Sequence, residues 1–193
     1  MVESIALLYA PILTSNENLH RIAQVSTKDD ETSAIELDSH ADSPVVGKHA
    51  SIIRKTAKQV NVSGFTVRLG SAIPVDVIDA AVVYDCETGN SYLMIIHNAL
   101  YLEEIKVHLI PPFMMRLSDI EVDECPKFLA KNPNIKNHSV YFRQHDLRLP
   151  LQIHAIILYL PVRASNETEL LEIEIELEIT PNVPNWNPHD QAY

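Results

Sequence analysis

The strongest structural signal in this chain is a long run of strand-forming residues that is interrupted once by a turn. Residues 73–84 hold a dense series of valine, isoleucine and alanine, and residues 91–97 resume the same pattern. Between them lies a cluster of turn-forming residues that includes Asp85, Gly89 and Asn90. Such runs on either side of a turn cluster predict a β-hairpin over 73–97. We therefore expect a mostly β fold.

Composition sets limits on size and on partners. With 193 residues and 46% hydrophobic residues, the chain is long enough for one sizeable core, or for one domain with an appendage. Its formal net charge is −11, with only 15 lysines and arginines. Binding of nucleic acid needs clustered cations that neutralise phosphates, and an anionic membrane would repel this chain. We therefore expect neither nucleic acid nor a membrane as a partner.

The N-terminus and the cysteines predict the compartment. The apolar stretch 5–13 is too short to span a bilayer, and no basic region precedes it as in a signal peptide. Cys86 and Cys125 lie in unrelated contexts and have no metal-ligand spacing. Two reduced thiols are the simpler interpretation of that pair. We expect an intracellular, cytoplasmic protein, and no motif predicts a cofactor.

The chain divides into three parts. Residues 1–33 are interpreted as an N-terminal segment or linker, because 14–33 are rich in polar residues. Residues 34–118 have the densest strand pattern and include a short helix predicted at 113–117, after two prolines. Residues 119–193 are interpreted as a β-rich extension and tail.

Within that extension, apolar residues alternate strictly with glutamates over 171–179. This period of two predicts a half-buried strand with an acidic outer face. The glutamates fit either a surface for a cation or basic partner, or a solvated face that prevents edge-to-edge pairing.

A second feature, around Asp38, places several titratable side chains close together in the sequence. An apolar, strand-like approach that begins at Ile35 ends in Asp38-Ser39, and His40 and Asp42 follow at once. Titratable groups at the mouth of a buried strand are costly unless they are used or well paired. An aspartic peptidase needs two carboxyl groups that share one proton, and a dimeric peptidase takes one from each chain. A strand that runs into Asp-Ser is one half of that arrangement.

The order of segments resembles the retropepsin-like protease region of copia-type retrotransposon polyproteins. Residues 35–39 resemble the strand and catalytic Asp-Ser of that family, and 70–84, folding back through Gly89, resemble its flap hairpin. Residues 98–102 and 107–115 resemble two further segments of the family, in the same order. The resemblance covers residues 34–118. It implies a retropepsin-like, acid-protease β-barrel half with a flap hairpin, followed by the β-rich extension.

The resemblance also implies functional roles. The protein would be a homodimeric aspartic endopeptidase that cleaves a polypeptide substrate, its own polyprotein, without a metal or cofactor. Asp38 would be catalytic, and His40 stands where the family has glycine. The other implied site residues are the supporting loop Ser39, His40, Ala41 and Asp42, the flap and substrate residues Val77, Ile78, Ala80 and Ala81, and the second apolar turn Leu109 and Ile110.

Three alternatives remain open from the sequence. Asp38 and Ser39 could have a purely structural role, in which they cap a turn after the strand. Asp38, His40 and Asp42 point to one side of a strand and, with His49, could hold a divalent ion if the chain bends there. Finally, the chain could be a catalytically inactive, β-rich binding or assembly module with the same fold.

Overall fold

The computed structural model describes residues 4–6, 32–63 and 73–183 of the chain. The linker predicted over 14–33 therefore lies outside the described residues except at its last two positions, and most of the tail lies outside them as well. Gly70, which the resemblance places in the flap, is also outside them.

The fold is mostly β, as the sequence predicts. The described residues form thirteen strands, which we number in chain order. Their bounds are β1 Ser4–Ala6, β2 Thr32–Leu37, β3 Val45–Val46, β4 Ser51–Ser63, β5 Ile73–Asp85, β6 Ser91–Tyr101, β7 His108–Ile110, β8 Ile120–Asp123, β9 Ser139–Phe142, β10 Leu147–Pro150, β11 Gln152–His154, β12 Ile157–Arg163 and β13 Glu176–Glu178.

Pairing of the long strands closes the main sheet on itself. The sheet runs β1-β4-β5-β12-β2-β7-β3-β6-β13, and β5 also pairs with β6. The strands β5, β12, β2, β7, β3 and β6 therefore form a closed ring of pairings. Closure leaves the strands of the ring without a free end strand and surrounds a core with the inward-facing side chains, while β1, β4, β11 and β13 lie outside the ring. The hairpin predicted over 73–97 is confirmed as the β5–β6 pair, with Tyr84 opposite Tyr92.

The C-terminal extension is divided between two sheets. β8, β9 and β10 form a separate three-stranded antiparallel sheet. β12 and β13 return to the main sheet, where β12 pairs antiparallel with β2 and β13 pairs parallel with β6. Residues 119–183 are thus part of the same structure as the strand that leads to Asp38.

Two short helices complete the fold. α1 (Pro112–Leu117) follows Pro111 and confirms the helix predicted at 113–117; its first residue is a proline, which is favoured at that position. α2 (Glu169–Glu172) corrects part of the strand predicted over 171–179, since only Glu176–Glu178 pair as a strand. Asn166 and Glu169 exchange backbone-to-side-chain hydrogen bonds, which start this helical turn. Leu171 is consequently 88% exposed, while Leu177 is buried.

The core fills the closed ring and includes buried side chains of the small sheet. Its fully buried members come from nearly every strand and from α1, and include Ile35, Met94, Ile110, Met115 and Leu160. Ile35 and Ile179, which are 144 positions apart, therefore belong to one cluster. Burial of this apolar surface is the main force that joins the extension to the rest of the chain.

Gly47 occupies a position that leaves no room for a side chain. A Cβ atom built there would overlap the carbonyl oxygen of Ile105 and lie 2.8 Å from the carbonyl carbon. That same carbonyl accepts the N–H of Lys48, so it has little freedom to move. We expect Gly47→Ala to lower the free energy of unfolding by about 2 kcal/mol, as overpacking does. Urea denaturation would measure it, and exposed Lys48→Ala should change stability by less than about 0.5 kcal/mol.

Candidate functional site

Asp38 lies at the end of a strand that is paired on both sides. β2 runs antiparallel to β12 and parallel to β7. The register aligns Leu37 with Ile110, and the N–H of Asp38 donates to the carbonyl of Ile110 at 3.2 Å. Leu109 and Ile110 are both buried and, where the resemblance implied a second apolar turn, they belong to strand β7, which supports the Asp38 backbone from beside it.

The carboxylate of Asp38 has two unlike oxygens. Oδ1 accepts the backbone N–H of His40 at 2.9 Å, and the His40 Nδ1 atom lies 3.8 Å from the same oxygen. Oδ2 is buried and has no hydrogen-bond partner among the described residues. Burial of a polar oxygen without a partner costs about 1–3 kcal/mol. Such an oxygen marks a place where a partner group is needed.

The supporting loop turns sharply after Asp38. The N–H of Ala41 donates to the Asp38 carbonyl, and Ala41 itself is only 4% exposed. Ser39 and His40 face outward, and the His40 side chain is 76% exposed. Asp42 is half-buried. The loop therefore holds the Asp38 backbone firmly, while the larger His40 side chain is accommodated in solvent.

A second carboxyl group, which the sequence analysis did not single out, lies two residues before Asp38. Glu36 is on β2 and is only 6% exposed. Burial raises the pKa of the Glu36 carboxyl, and the negative charge of Asp38 raises this pKa further. The signal was present in the sequence, because residues i and i+2 of a strand share one face. Paired carboxyl groups whose pKa values move apart are common at sites of acid–base chemistry.

We expect Glu36→Gln to stabilise the protein at neutral pH. The pKa of Glu36 is raised on folding, so ionisation at pH 7 opposes folding, and glutamine mimics the protonated acid. The gain should be on the order of 1 kcal/mol and should vanish as the pH falls below about 4, where both folded and unfolded Glu36 are protonated. Urea unfolding at pH 7 and pH 3.5 measures this difference. A variant that is less stable at pH 7 would contradict it.

The residues assigned to the flap lie in the core. Val77, Ile78, Ala80 and Ala81 are between 0% and 6% exposed. They belong to β5, which pairs on one side with β4 and on the other with β6. Residues covered in this way cannot contact a peptide in this conformation, so the assignment of the flap to these four side chains needs correction.

The β4–β5 hairpin is more exposed, on its β4 strand, than the four residues assigned to the flap. Most side chains of β4 from Ile52 to Gln59 are exposed, and Ile52, Ile53 and Ile73 are 37%, 43% and 53% exposed. The two strands pair over most of their length, with two register shifts. The residues that connect them, 64–72, lie outside the described part of the chain.

His108 connects three segments beside the site. Its Nδ1 atom accepts the N–H of Gly47 at 3.2 Å, and its Nε2 atom lies 3.3 Å from the hydroxyl of Ser33. The ring is fully buried, and burial together with nearby His49 lowers the pKa of His108 to about 3. A neutral ring therefore joins β7, β2 and the segment after β3, which is a structural role.

The alternative metal site does not assemble. Within residues 4–6, 32–63 and 73–183, no group of three or more histidine, cysteine, aspartate or glutamate side chains is arranged to hold a metal ion. The spacing of Asp38, His40, Asp42 and His49 therefore does not translate into a common coordination sphere.

A second buried polar cluster lies on β5 and β6. Asp79 is 2% exposed and binds Arg54 at 2.6 Å, while His97 Nδ1 lies 3.5 Å from the Asp79 carboxylate. The backbone N–H of Asn98 donates to Asp79 at 3.0 Å. Burial raises the pKa of Asp79, but the hydrogen bonds from Asn98 and Arg54 and the nearby His97 outweigh it, so the pKa is lowered.

A β-bulge creates this cluster. In the β5–β6 register, Ile78 pairs with Ala99 and Ala80 pairs with Ile96, so His97 and Asn98 together face Asp79 alone. Asn98 has a positive φ of 53°, which asparagine tolerates better than most residues. Thr180 donates to the His97 carbonyl and accepts its N–H, so the bulge also anchors the C-terminal segment.

In the described residues, no helix is long and apolar enough to cross a membrane. Comparison of the chain with protein-family models, with curated proteins and with solved structures found no match. The geometry of the Asp38 loop is therefore the basis for a functional assignment.

Proposed function

We propose that this protein is a retropepsin-like aspartic endopeptidase of a retrotransposon polyprotein, active as a homodimer with one Asp38 per subunit. The observation that carries the proposal is the Asp38 carboxylate itself. Its backbone is held by Ile110, one oxygen is held by His40, and the other oxygen is buried without a partner among the described residues. A small adjustment of the loop at a two-fold axis would let the Asp38 of a second copy supply that partner.

Two carboxyl groups in such contact share one proton, because like charges at that distance do not both ionise. The ionised member takes a proton from water, and the resulting nucleophile attacks the peptide carbonyl carbon. The protonated member donates its hydrogen bond to the carbonyl oxygen and stabilises the developing negative charge. Glu36 adds a buried carboxyl group two residues before Asp38, and its own pKa is raised by burial and by the charge of Asp38.

Substrate would bind as an added strand. An extended peptide lying between the β4–β5 hairpin and the Asp38 loop would form backbone hydrogen bonds, and alternate side chains would enter pockets. The exposed Ile52 and Ile53 of β4 provide an apolar face for this role. Ser39 is exposed at the loop surface and is available for a hydrogen bond to the second subunit.

The direct test is cleavage of a mixed peptide library by the purified protein across about pH 4–7, the range in which a proton shared by two carboxyl groups is lost. Cleavage that pepstatin inhibits, by a protein that sediments as a dimer, supports the proposal. Cleavage that a chelator abolishes and pepstatin does not affect would instead indicate metal-assisted hydrolysis.

A non-catalytic binding or assembly module with the same fold is the second candidate. The observation in its favour is His40, which stands where the resembling family has glycine and projects its exposed side chain beside Asp38. Glycine suits a loop where two backbones approach closely. A stable dimer that cleaves no peptide in the library, and whose Asp38→Ala variant dimerises equally well, would favour this candidate.

A further inference from the structure

The loop between β8 and β9 differs from the rest of the surface. It spans residues 124–138 and contains three lysines and a single acidic residue, Glu124, which pairs with Arg116 at 2.7 Å, in a chain whose net charge is −11. Its large apolar side chains are also exposed: Phe128 is 76%, Leu129 is 68% and Ile135 is 78% exposed. We name residues 124–138 the basic loop.

The lysines of the basic loop take no part in the ion pairs of the described residues. Ion pairs between described residues use arginine or histidine as the cation, so Lys127, Lys131 and Lys136 are left without one. Exposed apolar side chains that are surrounded by charges of one sign are typical of a surface that binds a partner of the opposite sign.

A cleft of about 680 Å³ has the opposite character. Its wall includes the apolar residues Leu117 and Phe142 and the acidic residues Asp119, Glu176 and Glu178. Arg143 also lines the cleft, but it already pairs with Asp119 at 3.4 Å and with Glu121 at 2.7 Å. Glu176 therefore forms no ion pair among the described residues. The Glu178 side chain is 61% exposed, and its one ion-pair contact among the described residues is with His97, at 3.8 Å. We name this feature the acidic cleft.

The basic loop and the acidic cleft lie at opposite ends of the small sheet. β8 and β9 pair Ile120 with Phe142 at the cleft end and Asp123 with Ser139 at the loop end. The strands between them span about 10 Å at roughly 3.3 Å per residue. Asn137 donates to Asp123 at 3.0 Å and holds the loop at its own end. The loop therefore begins and ends at the end of the sheet that lies farther from the cleft of its own chain.

We propose that the basic loop of one copy docks into the acidic cleft of a second copy. Phe128 and Leu129 would cover the apolar wall at Leu117 and Phe142, and the lysines would pair with Glu176 and Glu178. Because loop and cleft lie at opposite ends of one sheet, two copies placed antiparallel exchange both contacts at once, which gives a closed, symmetric pair. The interface uses no residue of the Asp38 loop, so it is independent of the proposed peptidase activity.

Sedimentation velocity of the whole chain tests the proposal with matched charge reversals. The wild type should self-associate at low salt, and the association should weaken at about 0.5 M salt because screening reduces attraction between exposed charges. Two variants, Lys127→Glu/Lys131→Glu and Glu176→Lys/Glu178→Lys, should each lose this association. Phe128→Ser should weaken it about tenfold without affecting folding, since Phe128 is exposed.

Mixing provides the decisive result. Each reversed variant repels itself, but the two variants together restore opposite charges at both contacts, so an equal mixture should associate like the wild type. Lys48→Glu/Lys106→Glu has the same change in net charge as the loop variant and should associate normally. If the mixture fails to associate, or if the Lys48/Lys106 control loses association equally, the specific contact is wrong.

An anionic membrane is the competing occupant for the basic loop. Flotation with vesicles of phosphatidylcholine alone, or with added phosphatidylserine, distinguishes it. Loop-dependent binding to the anionic vesicles, by a wild type whose self-association does not depend on the basic loop, would overturn the proposal. A dimer that remains in both charge-reversed variants would be formed through the separate Asp38 interface. The experiment therefore distinguishes a wrong proposal for the loop contact from a wrong proposal for the Asp38 dimer.

Discussion

Replacing Asp38 by asparagine is expected to reduce peptide cleavage by roughly a thousandfold, because the amide can neither take a proton from water nor share one with its partner. The asparagine keeps the shape of the side chain, and its oxygen still accepts the N–H of His40. Folding and dimerisation should therefore be unchanged. Initial rates on the best peptide of the library, with sedimentation of both proteins, measure the two effects separately.

Asp146→Asn is the matched control for that variant. Asp146 is exposed, has a positive φ of 46° that asparagine also tolerates, and interacts with Tyr141 at the surface. Its cleavage rate should stay within twofold of the wild type, on the order of 0.4 kcal/mol. Cleavage by Asp38→Asn at the wild-type rate would remove Asp38 from the reaction.

A mixing experiment distinguishes a site made by two chains from a site within one chain. If each active dimer needs two Asp38 carboxyl groups, an equal amount of Asp38→Asn protein leaves about half of the wild-type chains in fully wild-type dimers. Activity per wild-type chain should then fall to about half after subunit exchange. Unchanged activity would show that a single chain contains the whole site, and would direct attention to Glu36 as the second carboxyl group.

The largest effect on stability is expected at Asp79. Asp79→Ala leaves the buried N–H of Asn98 without its acceptor and removes the counter-charge of Arg54. The Arg54 side chain is 57% exposed, so water can solvate the guanidinium group once its counter-charge is gone. We therefore expect the free energy of unfolding to fall by about 2–3 kcal/mol. Urea denaturation at pH 7 measures it.

The pH dependence of this loss follows from the direction of the pKa shift. The pKa of Asp79 is lowered on folding, so its contribution is present above the ordinary pKa of an aspartate and is lost as the pH falls through the lowered value. The difference between wild type and Asp79→Ala should therefore shrink below about pH 4. Asp76→Ala, on the same strand but exposed, should cost less than about 0.5 kcal/mol at any pH.

Elements that depend on neighbouring residues were predictable. The β5–β6 hairpin follows from two strand-forming runs around one turn, and α1 follows from Pro111 and Pro112, which favour a helix start. The position of Asp38 at a strand end was predictable for the same reason. In each case the controlling interactions lie within a few residues, so the local pattern contains them.

The segment 171–179 shows where a local pattern is insufficient. Its strict alternation predicts one strand, yet the pair Asn166 and Glu169 starts a helical turn, and Arg163 holds Glu169 from β12. Periodicity indicates which side chains share a face if a strand forms. It does not indicate whether an arginine on another strand forms an ion pair with Glu169, just before the pattern, and so favours a helical turn there.

The sequence by itself determined the β class, the main hairpin, α1 and the position of Asp38 at the end of a strand. Only the tertiary structure decided that β12 borders the Asp38 strand, that Val77 and Ile78 are buried, and that a bulge faces Asp79. These features come from pairing between strands far apart in the chain. The register of these strands depends on which apolar faces pack against each other in the folded chain. An alternation of apolar and polar residues specifies which face of a strand is buried, but not the strand or helix that buries it.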